Sequence, residues 1–212
     1  MAVFPEGAKD GAAVAARARS AAAEIMEFMK KKGAATLGNK KIRFAVKCGM
    51  ERGRIDWGLP ETADGKARTW YFRGEAIDGA AAAEHGAKKG QTRLGPEAAK
   101  VLKSAGKAAA DATAPRAQVA SGKLLDLFFP APIVEAGDRA ELRHVASCFL
   151  QFEGAKSHAQ IQDVFRELVS QLANHGGVLN RIMFGDKAFS ALAFFGAPKA
   201  TEHAESNAVA FA

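Results

Sequence analysis

The chain has 212 residues, 48% of them hydrophobic and 25% charged, which suffices for one large or two small globular domains and indicates neither a disordered chain nor a membrane protein. No apolar run approaches the ~18 to 20 residues that span a bilayer, and the opening MAVFPEGAKDG lacks the basic and apolar regions of a secretory leader. The expected compartment is therefore the cytoplasm, with no membrane as partner. The formal charge of +7 allows attraction to polyanions, yet Lys30 to Lys32, Lys40 with Lys41, and Lys88 with Lys89 read as short spread-out clusters without interleaved aromatics. A solvated surface is expected, and nucleic acid is not expected as a partner.

From Ala8 to Lys32, Ile25, Met26 and Met29 stand at helical spacing and predict a helix. After the breakers Gly33 to Gly38, the alternating run Ile42 to Cys48 predicts a strand, and Arg52-Gly53-Arg54 predicts a turn that pairs it with Ile55 to Gly58 as a hairpin. Asp64-Gly65 marks another turn, followed by a strand over Arg68 to Arg73 and a helix of small residues from Gly74 to about Lys89, whose alanines permit close packing on a sheet. Gly95-Pro96-Glu97 opens a further helix that runs to Gly106.

Residues 107 to 139 are expected to form a boundary, because Lys107 to Gly122 holds few large apolar groups. Within it, Leu124 to Val134 is an apolar run broken by prolines and reads as a docking segment rather than a regular element. A second unit begins at Ala140: a strand from Val145 to Phe152, a helix from His158 to Ala173, and a hairpin of Val178 to Phe184 with Ala188 to Phe195. Cys48 and Cys148 each fall inside an apolar strand and are expected as reduced thiols. The histidines, His85, His144, His158, His175 and His203, show no pair at metal-ligand spacing and are expected at surfaces or helix ends.

The last stretch joins four signals in order: His175-Gly176-Gly177, Gly185-Asp186, Phe194-Phe195-Gly196-Ala197-Pro198, and Glu202-His203-Ala204. This order resembles one half of a class III nucleotidyl cyclase domain. The first unit is similar to the other half: Met1 to Phe4 matches a strand, Ile42 to Met50 the next, and Tyr71 to Asp78 a strand-to-helix step. The resemblance implies an α+β fold of ferredoxin-like cyclase homology domains in two partial units. Residues 1 to 106 would be the C-terminal part of a first domain, 107 to 139 a linker, and 140 to 212 the N-terminal part of a second. This is the tandem layout of soluble adenylyl cyclases.

The same resemblance implies an activity and a set of site residues. The parent enzyme would convert ATP to cyclic AMP and pyrophosphate using two Mg or Mn ions, with this chain inactive alone and the remaining parts of the tandem as its partners. Asp186 stands at one metal position, but Gln151 occupies the other, and an amide oxygen is a weaker, neutral ligand. Asp78 stands where the family carries a transition-state Asn, and Ala82 where it carries an Arg. Lys187 matches the lysine that donates to the adenine ring; the local sequence alone fits a solvated turn lysine equally well. The position matching the bicarbonate-binding Arg is Ala81, so that regulation is not implied. The alternative is a pseudo-cyclase, a nucleotide-binding or scaffold module without turnover.

Overall fold

The computed structural model of the chain describes residues 2–4, 11–104, 122–129, 131–136, 142–185 and 189–212. Helix α1 (Gly11–Lys32) leads into β1 (Ala34–Leu37), β2 (Lys40–Arg43), β3 (Cys48–Met50), β4 (Asp56–Gly58) and β5 (Tyr71–Arg73), then α2 (Glu75–His85), β6 (Thr92–Leu94) and α3 (Pro96–Ser104). Two short helices come next, α4 (Gly122–Phe128) and α5 (Ala131–Ala136). The chain then forms β7 (Ala146–Phe152), α6 (His158–Asn174), β8 (Gly177–Met183), β9 (Phe189–Phe195) and α7 (Ala204–Phe211). Helices mixed with small sheets make the fold α+β, as the sequence predicts. Two units emerge from the contacts: Met1–Ile55 with Arg73–Ala117, and Asp56–Phe72 with Gln118–Ala212.

The first unit is built on small side chains. Val14, Ala15, Ala16 and Ala22 of α1, Ala83 of α2, Ala87 after it and Ala98 of α3 are buried. Each alanine removes little apolar area from water, so cohesion depends on close backbone approach. Gly49 makes the point: an added Cβ would lie 2.0 Å from the Ala80 carbonyl oxygen and 2.3 Å from the Glu84 nitrogen, so β3 and α2 meet backbone to backbone. A second tie is Glu51, whose Oε1 accepts from the Ala98 N–H at 2.8 Å and satisfies a donor in the first turn of α3.

The predicted hairpin of Ile42–Cys48 with Ile55–Gly58 does not form. Instead β1 and β2 pair antiparallel from Ala34↔Arg43 to Leu37↔Lys40, around the two-residue turn Gly38-Asn39. Strand β3 pairs in parallel with β6, Cys48↔Thr92 to Met50↔Leu94, and β4 with β5. Ala2 to Phe4, expected as part of a strand, carry no ladder.

In the second unit β7, β9 and β8 form an antiparallel sheet in that order. Helix α6 buries Ile161, Phe165, Leu168 and Leu172 at spacings of one helical face. It begins at a capping box, Ser157 with Gln160, that satisfies donors at both positions. It ends at His175, whose Nδ1 lies 2.8 Å from the Gln171 carbonyl oxygen, and Gly176 takes the left-handed turn at φ +69° that a side chain would resist. The core joins Ile161, Leu168 and Leu172 of this face to Ile182, Phe189, Ala191, Ala193, Phe195, Ala204 and Ala208. Phe165, Phe195, Ile161 and Leu172 are less than 2% exposed, and each contributes about 1.5–3 kcal/mol by leaving water.

Residues 56–72 pack within this same unit. The Gln162 side chain treats Glu61 as a strand would, accepting from its N–H at 3.2 Å and donating to its carbonyl oxygen. Arg68 pairs with Glu61 at 2.9 Å, and its N–H donates to the Leu127 carbonyl oxygen at 2.6 Å. In the turn between them the Thr62 hydroxyl and the Lys66 N–H donate to Asp64 Oδ1, which holds that carboxyl below its ordinary range. The run Leu124 to Val134, read as irregular, forms most of α4 and α5; Pro132 falls in the first turn of α5, where a missing N–H costs no helical bond.

Candidate functional site

The candidate site begins at the end of β7. Along this strand the residues alternate half-buried and exposed, so Cys148, Leu150 and Phe152 face the core while Ser147, Phe149 and Gln151 face away. Gln151 is opposite Ser190 of β9, and Ser190 is opposite Met183 of β8. Gln151, the end of β8 and Gly185 therefore share one end of the sheet. Ser190 is only 5% exposed, a buried hydroxyl that its apolar strand does not single out in the sequence.

Beneath this end lies a run of aromatic rings. Phe184 stacks on Phe189 at 4.9 Å with an angle of 5°, Phe189 meets Phe152 at 5.0 Å, and Tyr71 meets Phe184 at 5.1 Å. Tyr71 is 4% exposed and its hydroxyl is 3.1 Å from His158 Nδ1, a hydrogen bond whose direction depends on the imidazole tautomer. His158 is the first residue of α6, a helix-end position of the kind the sequence predicts. Ring pairs at these separations stabilise beyond area burial.

Asp186 and Lys187, the predicted metal and adenine positions, lie outside the described residues. Asp78 and Ala82 lie one turn apart on α2, both exposed, in the first unit. Gln151 lies in the second, and its exposed amide is the only described side chain at a predicted metal position. Among the described residues no group of three His, Cys, Asp or Glu could hold a metal ion. The described residues thus do not fit a pair of Mg or Mn ions, since a neutral amide is a poor substitute for a bridging carboxylate.

The opposite end of the sheet carries an open cleft of about 390 Å³ lined by Arg143, His144, Gly196, Thr201, His203 and Glu205, and none of the predicted site residues lines it. No helix among the described residues is long and apolar enough to cross a membrane. No protein-family model matches this chain, and no curated protein matches it.

Proposed function

We propose that this chain is part of a soluble adenylyl cyclase with tandem ferredoxin-like catalytic domains, converting ATP to cyclic AMP and pyrophosphate, and that the chain alone is inactive. The observation that carries this reading is the order β7-α6-β8-β9-α7 combined with the antiparallel sheet order β7-β9-β8, which is how a ferredoxin-like domain opens. Supporting it, Gln151 and Gly185 share one sheet end, where the cyclase family sets its two metal carboxylates. In this reading the site next to Gln151 is degenerate, and Lys187 serves the working interface as an ammonium donor to the adenine ring. That donor favours ATP over GTP.

The protein isolated from its source, given ATP and Mn2+, is expected to form cyclic AMP, whereas the purified 212 residues are not. Lys187→Ala in the source protein should raise the KM for ATP about tenfold, the scale of one lost hydrogen bond to a charged group, and narrow the preference for ATP over GTP. Cyclic AMP formed by the purified 212 residues, or a source protein whose nucleotide preference ignores Lys187→Ala, contradicts the proposal. The neutral, exposed Gln151 amide favours a second reading, a pseudo-cyclase. Saturable ATP binding by the source protein with no cyclic AMP formed would select it.

A further inference from the structure

We propose that the end of α1 and the β1–β2 hairpin form a docking surface for a membrane face rich in anionic lipid. Between Glu27 and Glu51 the chain carries Lys30, Lys31, Lys32, Lys40, Lys41, Arg43 and Lys47 and not one acid. Of 30 Lys and Arg, these seven leave 23, which cancel the 23 Asp and Glu, so this short block holds the entire formal charge of +7. The charge that reads as spread out along the sequence is therefore concentrated in one region of the first unit.

The structure leaves the block open to solvent. Every residue of β1 and β2 is exposed, as are Lys30, Lys31 and Lys32 in the last turn of α1. Lys47 is half-buried and pairs with Glu84 at 3.1 Å, and Lys31 reaches Glu27 at 2.7 Å in an exposed pair that contributes little. Large apolar side chains stand among these cations: Leu37 is 72% exposed, Phe28 62%, Ile25 54% and Phe44 53%. In the hairpin register Leu37↔Lys40 and Ala35↔Ile42 share one face, while Thr36↔Lys41 and Ala34↔Arg43 share the other.

This pairing of aliphatic groups with lysines selects the partner. Nucleic acid would use the cations and stack bases on Phe28 and Phe44, but it would leave the aliphatic Leu37, Ile25 and Ile42 facing water. A bilayer surface uses both: the apolar tips enter the acyl boundary while lysine stems reach back to anionic headgroups. About four to eight clustered cations are on the scale that acidic lipid recognises. The contact is peripheral, in keeping with the absence of a helix able to cross a membrane among the described residues.

The test is co-sedimentation of the full chain with phosphatidylcholine vesicles that contain or lack phosphatidylserine. Binding is expected only with phosphatidylserine and should fall with salt. Neutralising Lys40, Lys41 and Arg43 together to Gln should weaken it about a hundredfold, at about fivefold for each cation. Phe28→Ser with Leu37→Ser should also weaken it at unchanged charge, and circular dichroism should show the fold intact because these side chains are exposed. Absence of phosphatidylserine-dependent binding, or binding unmoved by the Gln variants, overturns the proposal. So does binding to single-stranded RNA tighter than to the vesicles, which would assign the surface to nucleic acid.

Discussion

The buried ring of Tyr71 does two separable things in the second unit: it packs on Phe184 at 5.1 Å, and its hydroxyl bonds His158 Nδ1 at 3.1 Å. Tyr71→Phe should therefore lower stability by only about 1 kcal/mol, whereas Tyr71→Ala, which empties the ring site, should cost about 3–5 kcal/mol in urea unfolding. Equal losses would mean that the ring contact is not what holds residues 56–72 in place. Neither partner announces this contact in the sequence. Tyr71 reads as one residue of a strand, His158 as an ordinary helix end, and 87 positions separate them. By contrast, the glycine after His175 is legible, because a helix that ends in His-Gly-Gly needs a left-handed residue and Gly176 supplies it.

Among the elements, α6 is readable because its hydrophobic period is long enough to be unambiguous, and the pairing of β8 with β9 because two apolar segments flank Gly185-Asp186-Lys187 in the sequence. The short strands of the first unit are not. The alternation from Ile42 to Cys48 runs across two elements, since β2 stops at Arg43 and β3 starts at Cys48, and the partner of β3 lies far downstream at Thr92. No local signal specifies a parallel pairing of that kind. What the alanine-rich helix does foretell is a close approach, and Gly49 is where it occurs. Gly49→Ala sets a methyl group against backbone atoms that cannot rotate away, and should destabilise the first unit by about 1–3 kcal/mol or more. Amide exchange should then quicken in β3 and α2; unchanged protection there would show that the two elements separate at little cost.

At the scale of the whole molecule the two units differ in kind. The second encloses Phe165, Phe195, Ile161 and Leu172, while among the described residues the first buries no hydrophobic side chain larger than Val14. The candidate site belongs to the better-packed unit, where the sheet register brings Gln151 and Gly185 to one end. The proposal that this end derives from a cyclase metal site turns on a single missing carboxylate. Gln151→Asp restores it, and Mn2+ binding by the purified chain, monitored by electron paramagnetic resonance, reads the result. The account predicts affinity about tenfold or more above that of the unaltered chain, with the gain abolished by Asp186→Ala. An unchanged affinity, or a gain that survives Asp186→Ala, would contradict it.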